Sequence, residues 1–352
     1  MPALIPSRFA RRSQRLVAFF VARIWYRTRL RGAVPRNGPA VFVALHRNGA
    51  VDGWVHLSAI GGDAVFLVAA NLQRNLLIRP LAVGIPVERA KDKRDRSGNP
   101  AALQAAADWV AEGGRLVVYP EGTSTLGPAP LPFHPGAALI IARILERGVT
   151  PAVIPLGIDY ERPQMPGTGV DIEVGEPLVL TDLPGSDRLI AGLQQRIAAA
   201  LTARAFVFAD EASQARARRH ARLEAGGDGR QRLALLRQGD VPHNLIQGRL
   251  PSLWHRIIFG AGALANLPVA LAAYTAPRRL ADDRNVIAFW QIVPTILLAP
   301  LWLAISTIVA SLAFGPAGLL LPLAELLLGA AALAAAPKAF PARLDLRGAP
   351  AE

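Results

Sequence analysis

The sequence predicts an α/β domain with a mainly parallel sheet flanked by helices. An amino-terminal interfacial helix precedes this domain, and a carboxy-terminal transmembrane helical region follows it. Three observations predict this architecture. Short apolar runs alternate with helical stretches from residue 39 to about residue 205, a pattern typical of parallel sheets. The first 36 residues are rich in arginine and contain no acidic residue, and long apolar segments follow residue 251.

The composition favours a membrane-associated protein over a purely soluble one. Of the 352 residues, 52% are hydrophobic and 18% are charged, whereas roughly a quarter of a soluble domain is charged. The net charge of +13 suits an anionic partner, and the apolar excess beside it favours membrane lipids over nucleic acid. The chain has no cysteine, which excludes disulfide scaffolds, cysteine-ligated metals and cysteine nucleophiles.

Residues 1–36 are predicted to form a basic amphipathic helix at a membrane interface. Their apolar stretch, residues 16–26, is interrupted by Arg23 and is too short to span a bilayer, which takes about 20 residues. Trp25-Tyr26-Arg27 is a poor cleavage site for a secretory signal. Arginines can meet the headgroups while aromatic side chains dip into the bilayer. The alternative is a helix that packs on the domain that follows.

Residues 37–205 are predicted to form the α/β domain. Its expected strands are Ala40–Leu45, Ala64–Ala69, Ile85–Val87, Leu116–Tyr119 and Ala152–Ile158. Its expected helices are Ala101–Ala111, Gly136–Arg147 and Asp187–Ala205. Residues 206–250 have mixed charge and are predicted to be a helical linker.

Residues 251–352 are predicted to be a membrane region. The segments 286–314 and 316–336 are long enough to form a transmembrane hairpin. Arginines precede this hairpin and Lys338 follows it, so the positive-inside rule places both of its ends in the cytoplasm. The segment 257–274 contains Asn266 and Pro268, and we predict that it is re-entrant or interfacial. A buried helical domain is the alternative for all three segments.

Polar side chains follow two of the expected strands. His46 leaves the first strand, and Asp52 stands near the start of a helix, which is typical of a general base and the carboxylate that orients it. Glu121, Gly122, Thr123 and Ser124 follow a later strand and would form a polar pocket at the carboxyl edge of the sheet.

Three further residues complete the predicted substrate-binding set. Arg89 ends a strand and is a candidate clamp for phosphate, with an ordinary surface ion pair as the alternative. Arg47 and Asn48 follow the histidine directly. The remaining histidines, which include His56 and His134, lack metal-ligand spacing, so no metal site is predicted.

Taken in order, four blocks of this sequence resemble the glycerolipid acyltransferase family, which contains the 1-acylglycerol-3-phosphate acyltransferases. The blocks are His46/Asp52, Gly84/Arg89, Pro120-Glu121-Gly122-Thr123 and Val153–Pro155. The resemblance covers roughly residues 39–176. The sequence departs from the family pattern at three places. Asn71 stands where a lysine often follows the second strand. Five residues rather than four separate the histidine from the aspartate, and Ser124 stands where an arginine often follows the third block.

The resemblance implies a membrane-bound O-acyltransferase with His46 as general base and Asp52 as its orienting partner. Arg89, with Glu121, Gly122 and Thr123, would position the acceptor headgroup. The donor would be acyl-CoA or acyl-carrier protein, used as co-substrate without any cofactor. The acceptor implied first is 1-acylglycerol-3-phosphate, which would give phosphatidic acid.

Other functions stay open at this point. Glycerol-3-phosphate or a lyso-aminolipid could be the acceptor, since Ser124 replaces the usual arginine. A protein of another class, a non-catalytic membrane lipid-binding protein, is the further alternative. Anionic membrane lipids are expected as partners and nucleic acid is not. The expected location is a bacterial cytoplasmic membrane, with the catalytic domain on its cytoplasmic face.

Overall fold

The computed structural model describes residues 5–61, 64–76, 78–88, 99–183, 185–239 and 252–340. Within these ranges the chain forms two compact units. The first unit takes its described residues from Met1–Phe19, Thr28–Asp159 and Val170–Glu211. The second takes them from Phe20–Arg27, Tyr160–Gly169 and Ala212–Glu352.

A seven-stranded sheet is the core of the first unit. Its strands, in chain order, are β1 Arg27–Arg31, β2 Ala40–Ala44, β3 Ala64–Ala69, β4 Ile85–Val87, β5 Arg115–Val118, β6 Ala152–Tyr160 and β7 Gly169–Val174. The spatial order is β1-β7-β6-β2-β5-β3-β4. Strand β2 is parallel to both β5 and β6, and β3 is parallel to both β5 and β4. The predicted mainly parallel α/β fold is confirmed.

Strand β2 lies near the middle of the sheet because its sequence has no polar residue. All five of its residues are buried, as expected of a strand that is covered on both faces. Val43 pairs with Val118 of β5 on one side and with Pro155 of β6 on the other. The carboxyl ends of β2 and β5 therefore lie side by side, and the loops that follow them meet.

The amino-terminal region differs from the single helix predicted over residues 1–36. Helix α1 covers Arg8–Phe19, a π-helical stretch follows over Phe20–Trp25, and β1 then joins the edge of the sheet. Arg29 and Arg31 pair with the buried Asp171 of β7 at 2.8 and 2.9 Å. A buried carboxylate requires such partners, so these two arginines stabilise the pairing of β1 with β7.

Helix α1 has one face on the domain and one face exposed. It packs on helix α2, Ala50–Ile60, and Gln14 Nε2 donates to the Val83 carbonyl at 3.2 Å. The opposite face exposes three large apolar side chains between three arginines. These exposed residues are Arg8, Phe9, Arg12, Arg15, Leu16 and Phe19. The packing expected of the alternative interpretation is therefore present, and the interfacial role of the exposed face stays a prediction.

Four more helices complete the first unit. They are α3 Ala70–Arg74, α4 Asn99–Ala111, α5 Gly136–Glu146 and α6 Leu189–Thr202. Helix α5 packs against both α4 and α6. Its buried residues are alanine and isoleucine, which fits an amphipathic helix against a sheet core.

The second unit is largely helical. Its helices are α7 Glu211–Glu224, α8 Gly229–Arg237, α9 Leu253–Ala265, α10 Leu267–Leu280, α11 Ile287–Phe314 and α12 Leu320–Ala339. Helices α7 and α8 fall within the predicted linker. Helices α9 and α10 meet at Asn266 with a bend of 100°, so the predicted segment 257–274 is broken near its middle.

The stretch Arg284–Ala339 is long and apolar enough to cross a membrane, and an 18-residue window within it has a mean hydropathy of 2.2. A 3-10 turn over Gly315–Leu319 joins α11 to α12. Ser306 Oγ of α11 donates to Glu325 Oε2 of α12 at 2.6 Å. These residues are 19 positions apart and would lie about 28 Å apart in one straight helix. The two helices therefore fold back on each other.

Gly32 offers a test of how β1 is joined to the sheet. It has a φ of +95°, and a Cβ there would lie 2.8 Å from the Val174 carbonyl oxygen of β7. We expect Gly32→Ala to lower the free energy of unfolding by about 3 kcal/mol, through backbone strain and overpacking together. Chemical denaturation of the detergent-purified protein measures this loss.

Gly38→Ala is the matched control, because Gly38 has a φ of +87° but nothing within 4 Å of the added Cβ. It should cost only about 1 kcal/mol, from strain alone. Equal losses for the two variants would contradict the close contact between Gly32 and Val174.

Candidate active site

The structure brings His46 and Asp52 together after β2. Helix α2 begins at Ala50, which puts Asp52 in its first turn. His46 Nδ1 lies 2.9 Å from Asp52 Oδ2, and the aspartate side chain is fully buried. Gly49, with a φ of +55°, allows the chain to turn tightly between them. The extra residue between the two side chains therefore does not separate them.

Asp52 Oδ2 also accepts hydrogen bonds from the backbone N–H groups of Arg47, at 2.6 Å, and Asn48, at 2.8 Å. A carboxylate at the amino end of a helix is stabilised by the helix dipole and by such donors. Because an ionised carboxylate can only accept, His46 must donate from Nδ1. This fixes the tautomer in which Nε2 carries the lone pair that a general base needs.

The loop after β5 holds the backbone of His46 from the other side. Glu121 Oε1 accepts from the His46 N–H at 2.7 Å, and Oε2 accepts from the Leu131 N–H at 2.8 Å. The Thr125 N–H donates to the His46 carbonyl at 3.0 Å. Burial raises the pKa of Glu121, although the two amide donors oppose this effect.

Tyr119, at the end of the same strand, covers one face of the His46 ring. The two rings are 4.2 Å apart between centroids and inclined by only 18°. Tyr119 Oη is 2.9 Å from His56 Nδ1, and His56 is completely buried in α2. Burial lowers the pKa of His56 to about 4, so its ring is neutral at pH 7.

Comparison with known proteins identifies this domain. Residues 27–159 match the model of the family described as Acyltransferase. The sheet domain therefore resembles the acyltransferase family over the matched residues. The matched range starts with β1 and ends within β6, and it contains every residue of the site described above.

Two relatives show the extent of the likeness. The lyso-ornithine lipid O-acyltransferase of Pseudomonas aeruginosa is 32% identical over 162 residues, which are 44% of this chain and 57% of that protein. The chain thus spans just over half the length of this curated relative. The crystal structure of the 1-acyl-sn-glycerophosphate acyltransferase PlsC from Thermotoga maritima is 18% identical. The matched region covers 53% of this chain and 78% of the PlsC chain, with a TM-score of 0.38.

Several residues predicted to bind the acceptor are buried in this domain. Glu121 is only 1% exposed, and its oxygens accept from backbone amides, so it positions His46. Asn48 is fully buried. Arg47 is buried too and donates to the Gly127 carbonyl at 2.6 Å and the Ala129 carbonyl at 3.4 Å. It therefore holds the loop after β5.

The other residues that the sequence predicts to bind substrate differ in how exposed they are. Gly122 is exposed, Thr123 is half-buried, and Ser124 is buried. Gly122 has a φ of +67°, and the ring of His134 lies against it. Arg89 lies outside the described residues. Strand β4, which precedes it, is the third strand from β2, about 14 Å away at the usual strand spacing.

The sequence does not predict the contribution of Tyr119, and it predicts of His56 only that it is not a metal ligand. One signal was present, because His56 follows Asp52 by four residues and so shares its face of α2. Nothing in the pattern indicates that a tyrosine 73 positions after His46 stacks on its ring. Over the described ranges, no group of three histidine and acidic side chains is arranged to hold a metal ion.

The buried His56 predicts a pH dependence of stability. Its pKa is about 4 in the folded protein and about 6.5 when unfolded, so below pH 6.5 the unfolded chain binds the extra proton. The free energy of unfolding should therefore be highest above pH 6.5. It should fall by up to about 3 kcal/mol as the pH drops to 4.

Chemical denaturation of the wild type and of His56→Asn at pH 7, 6, 5 and 4.5 measures this effect. The variant should lose clearly less stability over that range than the wild type. His134→Asn is the control, because His134 is exposed, and it should keep the wild-type slope. The same slope in the wild type and in His56→Asn would contradict the prediction.

Proposed function

We propose that the protein is a membrane-bound O-acyltransferase that transfers a fatty acyl group from a thioester to a hydroxyl of a lyso-lipid. The observation that carries this proposal is the His46–Asp52 pair, joined at 2.9 Å in a domain that resembles the acyltransferase family. The buried carboxylate, the fixed tautomer and the partly exposed imidazole together suit a general base.

The chemistry follows from this geometry. His46 Nε2 removes the proton from the acceptor hydroxyl as its oxygen attacks the thioester carbonyl carbon. Asp52 stabilises the imidazolium that forms. The tetrahedral intermediate collapses, the carbon–sulfur bond breaks, and the imidazolium returns the proton to the departing thiolate. The products are an ester and a free thiol, from acyl-CoA or acyl-carrier protein, and no cofactor is required.

The site favours an acceptor headgroup that lacks phosphate. Arg47 is buried and bound to carbonyls, and Ser124 occupies the position where the family often has arginine. Of the described residues that the sequence predicts to bind the acceptor, Gly122 and Thr123 are the two that are not buried, and neither is a cation. A lyso-aminolipid such as lyso-ornithine lipid fits this surface, and the relative from Pseudomonas aeruginosa carries that name.

A specific observation also favours 1-acylglycerol-3-phosphate as the second candidate acceptor. The four sequence blocks resemble the family that uses this lipid, and the second block contains Arg89, the cation that the sequence predicts to bind phosphate.

Acyl transfer by detergent-purified protein tests both acceptors. Labelled acyl-CoA and acyl-carrier protein are offered against lyso-ornithine lipid, 1-acylglycerol-3-phosphate and glycerol-3-phosphate. His46→Ala should lower the rate by about 10²- to 10⁴-fold, the usual contribution of a general base. His134→Ala, an exposed histidine on the neighbouring loop, should retain most of the wild-type rate.

Each outcome assigns the function differently. Transfer to lyso-ornithine lipid, lost in His46→Ala, supports the proposal in full. Transfer only to 1-acylglycerol-3-phosphate keeps the mechanism and corrects the acceptor. Folded wild type that transfers to none of these acceptors would favour the non-catalytic lipid-binding protein.

We further propose that α11 and α12 cross a bacterial cytoplasmic membrane as a hairpin with both ends in the cytoplasm. Arg278, Arg279 and Arg284 precede α11, and Lys338 ends α12, which supports this orientation. Large apolar side chains are exposed along both helices, as a lipid-facing hairpin requires. They are Leu297, Leu301, Ile305, Ile308, Leu312, Leu320, Leu323 and Leu327.

The absence of cysteine from the chain makes single-cysteine labelling a clean test of this topology. We expect a membrane-impermeant maleimide to label Ala317→Cys, in the turn between α11 and α12, in cells with a permeable outer envelope. Asp282→Cys, in the exposed loop before α11, should react only after the inner membrane is opened. Labelling of Asp282→Cys in cells with an intact inner membrane would contradict the orientation.

A further inference from the structure

Tyr119 and His56 form a connected pair behind the proposed base. The phenol ring lies face to face with the His46 ring at 4.2 Å, and its hydroxyl is joined to His56 Nδ1 at 2.9 Å. His56 is fully buried, and Tyr119 directly follows β5, two residues before Glu121. The acyl-transfer chemistry described above assigns no task to either residue.

We propose that Tyr119, tethered by His56, is a positioning residue that holds the His46 ring in its catalytic orientation and stabilises its cationic form. The proposal rests on the proposed function, since it assigns a further part to the same site. In this role both residues act through His46.

The contact with Asp52 alone leaves the ring of His46 incompletely fixed. A single hydrogen bond at Nδ1 permits the ring to tilt and to turn about the line from Nδ1 to Oδ2. A flat aromatic surface against one ring face removes this freedom. Precise orientation of a base matters, because small displacements of a reacting group reduce the rate severely.

The stacked ring also suits the change of charge at His46. When the imidazole takes the proton of the acceptor, it becomes a cation that faces the electron-rich surface of the phenol. Burial, with the nearby Asp52 charge, raises the pKa of Tyr119 well above its ordinary value. The phenol is therefore neutral throughout the working range, and the attraction to the cation is that of an aromatic face.

His56 supplies the tether from a rigid element. It follows Asp52 by one turn of α2, so the same helix carries the carboxylate that orients His46 and the imidazole that anchors Tyr119. His56 is neutral at pH 7, so it has one ring donor and one ring acceptor, and its Nδ1 can pair with the phenol hydroxyl in either role. The helix thus fixes His46 both at the edge and at the face of its ring.

Kinetics of substituted proteins separate positioning from a merely structural role. Tyr119→Leu removes the ring, and we expect kcat to fall about 10-fold or more with both KM values within about twofold. The acid limb of the pH–rate profile should move to lower pH by about half a unit, because the imidazolium has lost a favourable contact. The other titratable or charged groups near His46 are Asp52, His56, Arg47 and Glu121, and this variant retains them.

The tether has its own test. Tyr119→Phe and His56→Leu each remove the same hydrogen bond, so each should lower kcat about 3- to 10-fold, and the double variant should lose no more than the worse single variant. His56→Asn, which can place a polar atom near the position of Nδ1, should recover most of kcat. Tyr26→Phe is the control, because Tyr26 is a buried tyrosine whose hydroxyl also makes a hydrogen bond, to the Pro163 carbonyl, and its kcat should stay at the wild-type level.

Reaction of His46 with diethyl pyrocarbonate provides a readout that needs no turnover. Modification of His46, located by peptide mass and compared with His220, should be several-fold faster in Tyr119→Leu than in the wild type. If the wild type transfers no acyl group, the proposed function fails and this rate still decides the positioning role. Unchanged modification of His46, unchanged kcat in Tyr119→Leu, or additive losses in the double variant would each overturn the proposal.

Discussion

A single buried carboxylate organises the site on which the rest of this protein's chemistry depends. Asp52 is removed from water and therefore needs donors for its charge, and it finds two backbone amides and the imidazole of His46. These three contacts shape the turn between β2 and α2 and set the tautomer of the histidine. An apolar side chain at position 52 would leave the two amides without this acceptor and the ring without its orienting partner.

The second support of His46 comes from a distant part of the chain. Glu121 and Thr125 bind the backbone of His46 on both sides, although some 75 residues separate them in sequence. They meet because β2 and β5 are parallel neighbours whose carboxyl ends coincide. The buried glutamate is costly in an apolar interior, which raises its pKa, and its two amide partners offset part of that cost. Two buried carboxylates, those of Asp52 and Glu121, thus hold the partly exposed His46 in place.

The sequence predicts the features of this domain that rest on local patterns, and it misses those that rest on distant partners. Apolar runs reveal all five predicted strands, and the turn after β2 reveals His46 and Asp52. Strand β1 was not predicted, because a segment rich in arginine is also typical of a membrane-binding helix. In the structure, Arg29 and Arg31 of this strand pair with Asp171, some 140 positions later. Glu121 was placed in the pocket because a sequence shows which residue follows a strand but not which way its side chain points.

The contacts of individual arginines also change how the high positive charge is interpreted. Some of the arginines bind carbonyls inside the protein, since Arg47 donates to carbonyls of the loop after β5 and Arg115 donates to the Pro35 carbonyl at 2.8 Å. Such arginines cannot also bind lipid phosphates, so a net charge of +13 overstates what an anionic partner meets. The arginines that remain exposed beside apolar side chains, as on α1, are those that can contact headgroups. Attraction to an anionic membrane should therefore depend on their placement more than on the total charge.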